Sequence, residues 1–95
     1  MVRHVVLFWL KDKSRENVHK TVAVLRGMEG KIEGMLSLEV GMDYLRSDRS
    51  CDLALCTLFT DRAALEAYRV HPAHLAVQTH MHAVRESSCT ADYEI

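Results

Sequence analysis

The spacing of apolar and polar residues changes several times along the chain, and each change predicts a new element. Val2 to Lys11 is rich in β-branched and aromatic residues with apolar side chains on both faces, which is typical of a strand covered on two sides. Ser14 then stands where it can cap a helix, and Gly30 followed by Gly34 ends that helix. The apolar stripe of the helix consists of Val18, Val22, Leu25 and Met28.

Two further strands are predicted in the middle of the chain, where the apolar spacing becomes two. From Leu36 to Tyr44 apolar and polar residues alternate, which indicates a strand with one apolar face. The polar run from Arg46 to Ser50 is predicted as a loop, and Leu53 to Phe59 returns as a strand that is apolar on both faces.

A pair of helices and a last strand complete the pattern. Thr60 and Asp61 open a helix that runs to about Tyr68, and a second helix runs from Pro72 to about Arg85, because proline is favoured in the first helical position. The final strand alternates from Cys89 to Ile95. The order of strand, helix, two strands, helix pair and strand predicts a ferredoxin-like βαββαβ sandwich of the α+β class.

This architecture predicts a homodimer. The 95 residues are enough for a single domain, over residues 1–95, with one modest core. Helices cover one face of such a sheet, yet the first and third strands are apolar on both faces. The second face would leave a broad apolar patch in water, so we expect a second copy of the chain to bury it across a two-fold axis.

Composition and charge narrow the range of partners. Lys and Arg number 12 against 13 Asp and Glu, and no basic stripe is present, which argues against a nucleic-acid partner. The apolar start is too short to span a membrane. The three cysteines, Cys51, Cys56 and Cys89, lack C-x-x-C spacing, so we interpret them as reduced thiols and the protein as cytoplasmic.

The segment from Tyr68 to His74 carries the candidate chemistry. It places a phenol and two imidazoles around the only proline of the chain, where one helix ends and the next begins. At about 100° per residue, His74 borders the apolar stripe of its helix. Burial and the positive end of the helix would lower the pKa of His74, leaving a neutral imidazole that accepts a proton near neutral pH.

These residue types favour a hypothesis of proton transfer next to a carbonyl group. His74 would remove an acidic C–H proton, and the phenol of Tyr68 would hold the oxygen that becomes an enolate. His71, which precedes Pro72, is restricted to extended backbone, and we predict a structural role for both residues at the corner.

Four segments give the chain a resemblance to a known family, the stress-responsive dimeric α/β barrel (Dabb) domains. They are Val2-Arg3-His4-Val5-Val6-Leu7-Phe8, Asp52-Leu53-Ala54-Leu55, Tyr68-Arg69-Val70-His71-Pro72-Ala73-His74 and Ala91-Asp92-Tyr93. The resemblance implies a homodimeric α/β barrel in which two four-stranded sheets face each other with the helices outside. It also implies a small cavity between sheet and helices in each subunit.

The resemblance also implies candidate site residues. A plant member of the family is a polyketide cyclase that closes a ring by aldol condensation without cofactor or metal. Carried over by position, its histidine base matches His74 and its orienting phenol matches Tyr68, while His4 matches a strand histidine that lines the same cavity. Related barrels include cofactor-free monooxygenases, lactone isomerases and haem-degrading enzymes, so the fold does not select the chemistry.

Two functions therefore stay open. In the first, the protein is a non-catalytic homodimer with a small apolar cavity, and His74, Tyr68 and His4 form a structural cluster. In the second, it is a cofactor-independent enzyme, of aldol cyclase, isomerase or monooxygenase type, acting on a small carbonyl or polyketide-like compound. A metal site is not expected, because His80 and His82 are two residues apart on a helix and project in different directions.

Overall fold

The computed structural model describes all 95 residues, which form four strands and three helices. The elements are β1 (Val2–Leu10), α1 (Arg15–Arg26), β2 (Met35–Met42), β3 (Leu53–Phe59), α2 (Arg62–Arg69), α3 (Pro72–Val84) and β4 (Arg85–Glu94). The strands form one antiparallel sheet in the order β2-β3-β1-β4. The predicted ferredoxin-like α+β fold is confirmed.

The core lies between the helices and one face of the sheet. Val2, Val6, Phe8 and Leu10 are the buried residues of β1, and every second residue of β3 from Leu53 to Phe59 is buried as well. Because side chains alternate across a strand, these residues share one face of the sheet. The prediction that β1 and β3 are apolar on both faces holds, since their other side chains are also largely apolar and half-buried.

Two boundaries differ from the predicted ones by more than two residues. Helix α1 ends at Arg26, with Gly27 as its C-cap, several residues before Gly30. Met28 is nevertheless buried, because it packs into the core from the turn after the helix. Strand β4 starts at Arg85 instead of Cys89, because backbone pairing with the end of β1 extends it through a polar stretch that has no apolar alternation.

The edge strand β4 is polar on its helix-facing side. Its register with β1 places Ser88 opposite Phe8 and Thr90 opposite Val6. Thr90 stays exposed, so the helices do not cover this edge of the sheet as they cover β3. None of the three helices combines the length and the apolar character that a membrane span requires.

Gly34 allows α2 to pack closely on the loop that precedes β2. Its backbone has a φ of +85°, and its carbonyl accepts a hydrogen bond from the backbone N–H of Thr60 at 3.0 Å. A Cβ atom at this position would lie 2.7 Å from the Cβ of Ala64 in α2. Any larger residue would therefore have to displace the helix that carries Tyr68.

We predict that Gly34→Ala lowers the free energy of unfolding by about 2 to 4 kcal/mol, because strain in the left-handed region and a steric clash add together. Gly30→Ala is the matched control. Gly30 also has a positive φ, of +77°, but a Cβ there would meet no atom within 4 Å. Gly30→Ala should therefore lower the free energy of unfolding by only about 1 kcal/mol. Urea unfolding of both variants checks this, and equal losses would contradict the role of the Ala64 contact.

Candidate functional site

A chain of aromatic rings connects the sheet to the corner between α2 and α3. The ring of Tyr68 has its centroid 4.1 Å from that of His74, 5.8 Å from that of His4 and 5.1 Å from that of Phe59. His4 lies on β1, Tyr68 near the end of α2 and His74 in the first turn of α3. The structure thus brings together the three side chains that the sequence singled out as candidates.

His71 does not belong to the ring cluster that contains His4 and His74, and it caps a helix instead. It is the N-cap of α3, and its Nδ1 atom accepts a hydrogen bond from the backbone N–H of Ala73 at 3.0 Å. Pro72 follows as the first helical residue. This contact satisfies one of the free backbone donors at the start of the helix, and it fixes the direction in which α3 leaves the corner.

His74 is held in one tautomer by its backbone contact. Its Nδ1 atom lies 3.3 Å from the carbonyl oxygen of Arg69. A carbonyl oxygen only accepts hydrogen bonds, so Nδ1 carries the proton and donates it. The Nε2 atom is then the unprotonated nitrogen, and it makes no hydrogen bond within the chain.

The surroundings of His74 favour its neutral form. Burial lowers the pKa of His74 from its ordinary value, and the positive charges that His4, Arg69 and His71 can carry act in the same direction. The hydrogen bond to the Arg69 carbonyl opposes this effect. The net lowering leaves an imidazole that is unprotonated at neutral pH and can accept a proton.

Tyr68 is almost completely buried, with 2% of its surface exposed. Burial raises the pKa of Tyr68 to about 12, so the phenol keeps its proton over the whole physiological range. Its hydroxyl group is directed at the sulfur of Met28, 3.9 Å away. A thioether is a weak acceptor, and the donor capacity of this hydroxyl is therefore little used inside the core.

Asp92 is a site residue that the sequence reasoning missed. It lies directly opposite His4 in the register of β4 and β1, and its carboxylate is hydrogen-bonded to Nδ1 of His4. The second carboxylate oxygen lies 3.8 Å from Nη2 of Arg69. The predicted fold could have indicated that Asp92 lies near His4, because a ferredoxin-like sheet places its first and last strands side by side.

These residues border a cleft of about 410 Å³ between the sheet and the helices. Half of the 16 residues around it are hydrophobic. The apolar walls come from Val6, Phe8, Leu25, Leu55, Leu65, Val77 and Met81, next to the ring of Tyr68. The remaining wall is more polar than the sequence analysis expected, because the uncovered face of β4 contributes Ser88, Thr90 and Asp92.

A larger hollow of about 860 Å³ lies at the opposite end of the sheet, under the loop between β2 and β3. Several of its charged side chains already have partners within the chain. Lys13 pairs with Asp52 at 2.9 Å and with Glu86 at 3.5 Å, and the guanidinium of Arg46 donates to the Lys13 carbonyl. No group of three or more metal-ligating side chains comes together anywhere in the structure. We therefore take the smaller cleft as the candidate site.

Comparison with known proteins agrees with this fold. The chain is 33% identical over 79 residues to an uncharacterized protein of Streptomyces coelicolor. The aligned residues cover 80% of this chain and 81% of that protein. A dimeric ferredoxin-like protein of unknown function from Bacteroides fragilis superposes with a TM-score of 0.83 at 25% identity, over 99% of this chain and 95% of that one. A hydroxynitrile lyase from Passiflora edulis shares the fold, with a TM-score of 0.84 at 18% identity over 99% of this chain and 92% of that one.

The resemblance noted from the four sequence segments extends over nearly the whole chain. The sequence model that describes the Stress responsive A/B Barrel Domain matches residues 2–95. This range includes every strand and helix and all of the candidate site residues, so the predicted family is confirmed. The protein belongs to the stress-responsive A/B barrel domain family.

Proposed function

We propose that the protein is a homodimer whose cleft binds a small carbonyl compound and transfers a proton at the carbon next to the carbonyl group. The observation that carries this proposal is the state of His74: its Nδ1–H is donated to the Arg69 carbonyl, which leaves Nε2 free as a base beside the cleft. Burial lowers the pKa of His74, so this nitrogen is unprotonated at neutral pH.

The dimer is supported by the face of the sheet that the helices leave open. Val5, Leu7 and Trp9 of β1 lie there, with Cys56 and Leu58 of β3 beside them. These side chains are half-buried in the single chain, and together they form a continuous apolar surface at the centre of the sheet. Structural neighbours of this fold are described as dimeric, and a second copy packed on this face would remove the surface from water.

The chemical step needs only groups that the chain supplies. Nε2 of His74 accepts a proton from the carbon next to the carbonyl. The electron pair of the broken C–H bond forms a C=C bond, and the π pair of the C=O bond moves to the oxygen to give an enolate. Tyr68 borders the cleft and keeps its proton at neutral pH, so we assign it as the donor to that oxygen, and His4 supplies a second polar contact. The imidazolium of His74 then returns the proton to the same or another carbon.

Asp92 and Arg69 support this arrangement by holding His4. The hydrogen bond from Nδ1 of His4 to the Asp92 carboxylate fixes the orientation of the ring against Tyr68. Arg69 approaches the same carboxylate at 3.8 Å. An orientation imposed by a carboxylate is the usual way in which proteins set the tautomer of a functional histidine.

The second candidate is a non-catalytic homodimer in which the same rings close the core. One observation favours it: Tyr68 is buried and its hydroxyl is directed at Met28, a contact that serves packing. In this case the cluster stabilises the fold, and substitution of His74 would alter stability without loss of any reaction. The exchange experiment below separates the two functions.

We expect the protein to have a mass in solution of twice the 10.8 kDa of the chain, as measured by light scattering at micromolar concentration. Leu7→Glu should give a monomer, because it places a charge in the middle of the open apolar face. Val70→Glu is the control, since Val70 is 71% exposed on the helix side. A monomeric mass for the unmodified protein would exclude the dimer.

We expect the protein to accelerate deuterium exchange at the carbons next to the carbonyl of 4-phenyl-2-butanone in D₂O, followed by NMR. This probe is a small ketone with an apolar tail and slow spontaneous exchange. His74→Gln should lose about 100-fold or more of the acceleration, the usual contribution of a general base. His82→Gln, an exposed histidine of the same helix, should keep it.

The pH profile of this exchange tests the state of His74. Because its pKa is lowered, the base is already unprotonated at neutral pH. The rate should therefore be flat through neutral pH and fall only as the pH drops below the ordinary histidine value of about 6.5. Retention of the full rate by His74→Gln, or no acceleration by the unmodified protein, would contradict proton transfer by His74. The cluster of His74, Tyr68 and His4 would then have a structural role only.

The burial of Tyr68 predicts a loss of stability at alkaline pH. Between its ordinary pKa of 10.0 and its raised pKa of about 12, the unfolded chain releases the phenol proton while the folded chain retains it. The contribution of the buried phenol to the free energy of unfolding is fully present below pH 10. It should decline by about 2 to 3 kcal/mol as the pH approaches 12. Tyr68→Phe should remove this decline in urea unfolding, whereas Tyr44→Phe, at a side chain that is 92% exposed, should not. Parallel pH curves for all three proteins would refute the assignment.

A further inference from the structure

Polar groups lie at both ends of the cleft. His4 and Asp92 mark one end, and Arg85 with Ser88 marks the other. Ser88 and Asp92 are four residues apart on the same face of β4, which corresponds to about 13 Å. Thr90 lies between them on β4, whereas the walls formed by β1 and by Val77 of α3 are apolar.

Arg85 differs from the other arginine of the cleft in its partners. Arg69 lies near two carboxylates, 3.5 Å from Glu66 and 3.8 Å from Asp92. Arg85 forms no ion pair, and its guanidinium makes one hydrogen bond, from Nη1 to the hydroxyl of Ser88 at 3.1 Å. A guanidinium has five N–H donors, so most of the donor capacity of Arg85 is unused in a half-buried position.

The backbone explains why a cation is tolerated there without a carboxylate. Arg85 is the C-cap of α3, and its backbone N–H donates to the carbonyl of Met81. The negative end of the helix dipole stabilises a positive charge at this position. This effect accounts for the presence of a charge, but it does not account for a guanidinium whose side chain borders the cleft with donors free.

We propose that Arg85 binds the carboxylate of an amphipathic ligand whose apolar body lies along the cleft. A planar guanidinium with free parallel N–H groups matches a carboxylate in a two-point hydrogen-bonded pair. One unpaired cation fits a single negative charge better than a phosphate with two. The ligand class is a medium-chain alkanoic or aryl-alkanoic acid, and, where the proposed proton transfer holds, a keto acid whose carbonyl reaches His74.

The inference rests on the proposed function only for the carbonyl group of the ligand. Binding of the ligand carboxylate to Arg85 can be tested without any reaction. The probes are octanoate and octanamide, which have the same chain and differ in charge. Titration calorimetry on the full chain should show octanoate binding about tenfold tighter than octanamide, the usual gain from a charge-assisted pair. Arg85→Gln should remove this preference while octanamide binding stays within about twofold.

Further variants separate this role from the alternatives. Arg85→Lys keeps the charge but loses the two-point geometry, and it should restore only part of the preference. Arg62→Gln, at an exposed arginine on α2, is the matched control and should keep the preference in full. If Arg85 serves the helix dipole alone, Arg85→Gln will lower stability and leave the octanoate preference unchanged.

The outcomes distinguish failure of this inference from failure of the proposed function. Equal affinity of the unmodified protein for the two probes, or no binding of octanoate at millimolar concentration, overturns the carboxylate site. Loss of the preference in Arg69→Gln but not in Arg85→Gln also overturns it. His74→Gln should keep the octanoate preference. If the unmodified protein prefers octanoate but shows no deuterium exchange, proton transfer is refuted and Arg85 remains as the binding residue.

Discussion

The arrangement of the cleft depends on the register of β1 with its two neighbours. This strand pairs with β3 on one side and with β4 on the other, and the pairing places His4 opposite Thr57 and Asp92. Because side chains alternate along a strand, a shift of one residue would turn His4 to the open face and bring Arg3 into the core. The buried side chains of Val6 and Phe8 make such a shift unfavourable, so the hydrophobic core fixes the position of the polar site.

Burial acts in opposite directions on the two central side chains of the site and leaves both of them neutral. It raises the pKa of Tyr68 and lowers the pKa of His74, because in each case it disfavours the charged form. The rings lie with their centroids 4.1 Å apart. A neutral acid and a neutral base can share a partly apolar cleft in this way without the desolvation cost of an ion pair. The same pairing is compatible with a core that simply excludes charge, which is why the exchange experiment is decisive.

Much of the fold could be predicted from local patterns, whereas part of the site could not. The two-sided apolar character of β1 and β3, the alternation in β2 and the proline at the start of α3 reflect burial and backbone geometry that each segment carries in itself. Asp92 becomes a site residue only through its pairing with β1, and nothing in the polar alternation of the last strand identifies a partner. The early end of α1 at Arg26 has the same origin, since Met28 is buried by tertiary packing and continues the apolar stripe beyond the helix. The polar wall of the cleft was missed because the helices leave β4 uncovered.

The hydrogen bond between His4 and Asp92 joins residues that are 88 positions apart in the chain. Tyr68 and His74, in contrast, are brought together by a turn between two adjacent helices. The cleft thus combines a local half, which can form early in folding, with a half of very high contact order, which forms only when the first and last strands meet. A partly folded chain in which the last strand is not yet paired would hold Tyr68 and His74 together but would lack the polar wall. The complete site therefore exists only in the fully folded chain.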